Sequence, residues 1–139
     1  MQCILKEDNH YILRLDRGEE FIETLIRFAE NEGINAAWFS AIGASDDAEL
    51  AYYNRQTKEF FPKMFTEPLE IVNISGNIAL KEGNTIVHAH GILGNKEMQL
   101  FGGHINKLII STIAEVTLTK LEGEIRKVYS EEIGLNIMG

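Results

Sequence analysis

The chain has 139 residues, 45% hydrophobic and 24% charged, which suits one globular domain that buries a core without staples. Its net charge of −8, from 21 acidic against 13 basic residues and no basic block, argues against a protein that draws its affinity from phosphates. One cysteine, Cys3, excludes an internal disulfide; no apolar run nears the ~18 residues of a membrane span and no basic-then-apolar leader opens the chain, so a cytoplasmic protein is expected.

Ile4 and then Tyr11 to Leu15 read as a strand pair turning at Glu7-Asp8-Asn9. Residues 19–32 read as a helix, because Phe21, Ile22, Leu25, Ile26, Phe28 and Ala29 fall on one face and Glu20, Glu23, Arg27 and Glu30 off it. Acidic residues crowd its first turn, and Gly33 is placed to cap its end. Beyond it the chain reads as β-rich. Ala36 to Ile42 forms a strand ending at Gly43, and Ala48 to Asn54 forms another. Residues 55–68, which hold both prolines, read as an irregular connection. Leu69 to Leu80 is a long strand with a bulge or bend expected at Gly76. Thr85 to Leu93 and Glu97 to Phe101 flank Gly94-Asn95-Lys96 as a hairpin. Ile109 to Leu118 and Ile125 to Tyr129 complete the strands. The sum is an α/β (α+β type) domain spanning 1–139, one or two helices on a mostly antiparallel mixed sheet.

Three of the four histidines lie close together, in Val87-His88-Ala89-His90-Gly91 and Gly102-Gly103-His104. Residues two apart on a strand share a face, with Cα atoms about 6.5 Å apart. Two imidazoles at that spacing can converge on one ion at roughly 2.0–2.1 Å each. The third depends on register. If the hairpin turns on Gly94, Asn95 and Lys96, His88 faces Gly102, Ile86 faces His104, and all three histidines share one face. A two-residue turn would reverse that parity. Gly102 and Gly103 would then leave open space beside His88 for water or a ligand. Three imidazoles without cysteine favour Zn²⁺, with Ni²⁺, Co²⁺, Mn²⁺ or Fe²⁺ as alternatives. The bland alternative is a pair of ordinary strand histidines followed by a chance third. His10 sits beside a turn and reads as exposed.

Arg14 to Glu19, Phe39-Ser40-Ala41-Ile42-Gly43-Ala44, Leu69-Glu70-Ile71 with Gly76-Asn77-Ile78, His88-Ala89-His90, Gly102-Gly103-His104 and Glu115-Val116 occur in an order that resembles the PPC (plants and prokaryotes conserved) domain, also called DUF296. The resemblance implies a compact α/β domain of the AF0104/acetolactate-decarboxylase-like type, assembling as a homotrimer. Plant members carry this domain beside AT-hook motifs in DNA-binding proteins, and prokaryotic members are usually stand-alone. Related zinc enzymes hold their ion on a His-x-His pair and a later histidine, which maps to His88, His90 and His104.

The resemblance implies a trimer with a divalent-metal pocket in a ligand-binding or regulatory role. Alternatives are a metal-dependent hydrolase or lyase using metal-activated water, and a DNA-binding regulatory protein. Glu70 and Glu115 are candidate bases or orienting carboxylates, each with a structural alternative, a strand-edge group and a buried paired group respectively. Asn77 could satisfy a bend or point into the pocket with Gly102 and Gly103. Arg14, Arg17 and Glu19 read as an ion-pair cluster, and Trp38 and Phe39 as core or trimer contacts.

Overall fold

Tyr11, Leu13 and Leu15 are buried while Ile12, Arg14 and Asp16 between them are only half covered, as period-two alternation on a half-buried strand requires. The same alternation runs through most of the computed structural model, which describes residues 1–139. The elements are β1 (Gln2–Glu7), β2 (His10–Asp16), α1 (Phe21–Glu32), β3 (Ala37–Asn54), β4 (Glu59–Phe65), β5 (Leu69–Lys81), β6 (Asn84–Gly94), β7 (Leu100–Lys120), β8 (Lys127–Ser130) and β9 (Leu135–Met138).

The helix matches its expected face. Phe21, Leu25, Phe28 and Ala29 are buried, the Glu20 side chain accepts the Glu23 backbone N–H, and Gly33 ends the helix in the left-handed conformation. Burying the Phe21 ring contributes about 2–3 kcal/mol. The helix packs against β6 and β7.

Seven strands form one antiparallel sheet in the order β1-β2-β7-β6-β5-β3-β4, and β7 also pairs with β3, so the sheet curls round and closes on itself. Its inner face carries Leu13, Phe39, Ile74, Ile78, Ala89, Leu93, Ile105 and Leu118, all within one apolar core. β8 and β9 form a separate two-stranded hairpin. Two bonds tie it to the β3–β4 hairpin, the Tyr53 hydroxyl donating to the Ile133 carbonyl and Lys58 Nζ to the Glu131 carbonyl. No helix is long and apolar enough to cross a membrane.

Four expectations change. The strands expected at 36–42 and 48–54 are one strand, β3. Gly43 does not end it, because register shifts on either side absorb the kink. A Cβ at Gly43 would lie 2.4 Å from the Ile113 carbonyl oxygen, so glycine lets β3 and β7 touch there. Residues 59–65, expected as irregular chain, form the edge strand β4, whose Pro62 is tolerated because an edge strand has a side free of ladder bonds. The irregularity in β5 falls between Ile71 and Asn73, not at Gly76. Gly76 is there for space, since a Cβ would sit 2.4 Å from the Phe39 ring. Finally, of the strand expected at Glu97 to Phe101, residues 97–99 belong to a five-residue turn and only Leu100 and Phe101 are strand, the start of β7. Asn95 Oδ1 accepts the backbone N–H groups of Glu97 and Gln99, and Met98 takes a positive φ.

Candidate metal centre

The register of β6 on β7 decides the site. Gly94 pairs with Leu100 and His90 pairs directly with His104. The three-residue turn expected above would have placed Ile86, not His90, opposite His104. The observed turn is two residues longer. Because both turns have an odd number of residues, parity survives and the three histidines share one face. Their sequence neighbours Ala89 and Ile105 point the other way into the core, and Val87 packs against it.

The three imidazole rings form a near-equilateral triangle, with centroids 5.2 Å apart for His88–His90, 5.1 Å for His88–His104 and 5.5 Å for His90–His104. One ring nitrogen from each lies within 4.8 Å of the others. Tetrahedral binding of one ion at ~2.1 Å would bring the nitrogens to ~3.4 Å, a small side-chain rotation away. The donors are of the right kind, all imidazole. Asn77, directly across from His88 on β5, is buried, and its Oδ1 has no hydrogen-bond partner. Such an acceptor beside a ligating imidazole is the usual means of fixing its ring. The site residues therefore fit a divalent ion.

Burial and neighbouring charge set the protonation of the rings. Burial holds the His88 pKa at about 4, with the Lys127 charge and then the other two histidines adding to the depression. Burial and then His90 lower that of His104. These two rings are neutral at pH 7 and can bind a cation without first losing a proton.

The histidines open into a cleft of about 610 Å³. Tyr53 and Phe60 from the β3–β4 hairpin form one wall, with the Phe60 ring 5.3 Å from that of His104. Leu135 and Asn136 from β9 form another, and Lys127 from β8 completes it. Lys127 is only 9% exposed, and burial lowers its pKa. Gly102 and Gly103 line this cleft, but the atoms they lack would not fill it. A Cβ at Gly102 would lie 2.5 Å from the Gly91 carbonyl oxygen, and one at Gly103 would lie 2.8 Å from that of Ala51. The glycines let three backbones close up beneath His104.

The remaining candidates lie elsewhere in the chain. Glu70 is exposed, five residues before the Ser75 that faces His90, roughly 16 Å along β5. Glu115 is exposed on β7 opposite Arg14, roughly 35 Å along the strand from His104. No Asp or Glu lines the histidine cleft. Arg14 pairs with Asp16 at 2.9 Å, not with Glu115 or Glu19. Phe39 is core, whereas Trp38 is half exposed on the outer face. Lys127 and the Tyr53–Phe60 wall were not legible from sequence. Nothing in the sequence separated Lys127 from its neighbour Arg126, which is exposed.

The model of the Plants and Prokaryotes Conserved (PCC) domain family matches residues 5–122. Among solved structures, the metal-containing protein AF0104 from Archaeoglobus fulgidus matches with a TM-score of 0.89 at 33% identity, over 99% of this chain and 98% of that one. A candidate DNA-binding protein from Bacteroides thetaiotaomicron matches with a TM-score of 0.93 at 28% identity, over 97% and 94% of the two chains. Alpha-acetolactate decarboxylase from Bacillus subtilis matches with a TM-score of 0.54 at 11% identity, over 91% and 58%, a likeness of fold alone. A search of curated proteins finds no match. With the ordered motifs, the curled antiparallel sheet and a family match across most of its length, the chain belongs to the Plants and Prokaryotes Conserved (PCC) domain family.

Proposed function

We propose that the chain is a ligand-binding domain in which His88, His90 and His104 hold a divalent ion, zinc by preference, and that it acts as a homotrimer. The observation that carries this reading is the convergence of three imidazole nitrogens, within 4.8 Å of one another, at the floor of an open cleft. An all-imidazole donor set suits zinc, and three protein ligands leave a position for a ligand. The metal-containing description of AF0104, one-third identical to this chain, supports it. Such an ion, when bound, supplies a Lewis acid to whatever enters the cleft. The chain's own groups then determine what enters. Tyr53, Phe60 and Leu135 offer apolar surface, and Asn77 is placed to steady His88.

The outer face of the sheet supports assembly. Trp38, Ile42, Val72, Ile92 and Ile113 are each 41–55% exposed on it. An apolar surface of this kind on a sheet is a self-association face more often than bare solvent surface. Size-exclusion chromatography with light scattering should return three times the 15.7 kDa chain mass.

A hydrolase or lyase would need a proton acceptor beside the ion; no carboxylate of the chain lines the cleft, which leaves Lys127 and Tyr53 as the groups to fill that role. Glu70 and Glu115 would have to act from a neighbouring subunit. DNA binding, suggested by the Bacteroides relative, runs against a net charge of −8. Duplex DNA at low salt should show no mobility shift.

Elemental analysis of purified protein, beside a His88→Ala/His90→Ala variant, tests the central reading. About one divalent ion per chain in the native protein and almost none in the variant is expected. Equal content in both would end it.

A further inference from the structure

Lys127 lies in the C-terminal hairpin, beyond residues 5–122 matched by the family model. Its side chain lines the same cleft as the three histidines, is 91% buried, and makes no ion pair or hydrogen bond. A lysine whose stem is buried and whose ammonium has no protein partner has given up part of its hydration and received nothing in exchange. Lysines placed there for structure alone find a carboxylate or backbone carbonyls. The backbone around Lys127 is pinned: it pairs with Met138, and residue 126 bridges to Leu80. That backbone anchoring sets the root of the side chain at the cleft wall.

We propose that Lys127 is the anchor for the carboxylate of a small organic acid that occupies the histidine cleft. A carboxylate supplies the charge that the ammonium lacks, and Nζ can donate to both its oxygens. The single fixed cation and the protein's net charge of −8 select a monoanion over polyphosphates or nucleic acid. The Tyr53, Phe60 and Leu135 walls select a ligand with an apolar body. The volume of about 610 Å³ admits an acid of metabolite size. This inference rests on the histidine cleft being the ligand site, but it does not require the ion.

The test uses a matched pair of probes, phenylacetate and phenylacetamide, which share shape and differ in charge. Binding is followed by ligand-observed NMR and calorimetry on the full chain, both after chelator treatment and after zinc loading. Phenylacetate should bind saturably, and phenylacetamide about tenfold or more weakly. Lys127→Met should weaken phenylacetate binding about tenfold or more and leave phenylacetamide binding unchanged. The variant should fold, because it removes an uncompensated charge and keeps the length of the side chain. Its melting temperature should equal or exceed that of the native protein. Equal affinity for acid and amide, native affinity in Lys127→Met, or no saturable phenylacetate binding would each overturn the assignment. Lys127-dependent binding in protein that retains no zinc would uphold it while removing the metal reading. Zinc retained without Lys127 dependence would do the reverse.

Discussion

Two polar concentrations toward opposite ends of β7 are built on opposite principles. At the far end, Glu115 stands opposite Arg14, which pairs with Asp16. Asp16 is held below the usual carboxylate range first by the Met1 ammonium, with Arg14 adding to the effect. Arg14, Asp16 and the Met1 ammonium are paired there, Glu115 stands in water, and such surface ion pairs contribute little. At the near end, His104 meets His88 and His90 with no carboxylate in the cleft, and the nearby Lys127 is also unpaired. Polar groups that satisfy one another are structural. Polar groups left facing one another unsatisfied await something from outside the chain.

That contrast can be broken in several places. The largest expected effect is from metal removal. If the near end is a metal centre, chelation should lower the melting temperature of the native protein. An ion at about 1,000 times its dissociation constant contributes about 4 kcal/mol. The His88→Ala/His90→Ala variant should show no chelator response in the same thermal melts.

Next comes the floor of the site. Gly102→Ala forces a Cβ against the Gly91 carbonyl oxygen and should destabilise the chain by about 1–3 kcal/mol in urea unfolding. It should also weaken zinc binding, because β6 and β7 must part to admit the methyl group. The matching change at the far end, Glu115→Gln, should shift stability by no more than about 0.5 kcal/mol and leave zinc content unchanged.

The pH response is smaller and directional. His88 titrates near 4 in the folded metal-free chain, below its value near 6.5 when unfolded. The unfolded chain therefore binds more protons between those values, and stability must fall as pH drops from about 6.5 toward about 4. The loss should appear in chelator-treated protein and shrink in His88→Ala, and His88 should add no pH dependence above pH 7.

Some of this was plain in periodicity and residue type. The helix at 21–32 with its Gly33 cap follows from apolar spacing and a left-handed terminus. The turn at Asp8 and the alternation of β2 follow from local chemistry. So does the common face of His88 and His90, because two residues apart on a strand is one face whatever the strand pairs with. The PCC resemblance ordered these pieces correctly.

Long-range contacts decided the rest. Gly43 and Gly76 looked like interruptions, but each is a place where another element comes within contact distance. Residues 59–65 alternate too weakly, around a proline, to announce a strand until β3 supplies an edge to pair with. His104 joined the other two through an odd-numbered turn organised by the Asn95 side chain, whose length no periodicity reports. Lys127 reached the cleft only because β8 folds back from 37 residues beyond His90 in sequence. A sequence pattern reports which face a side chain occupies within its own element. Which faces meet, and which charge is left without a partner where they do, is settled only when the sheet closes.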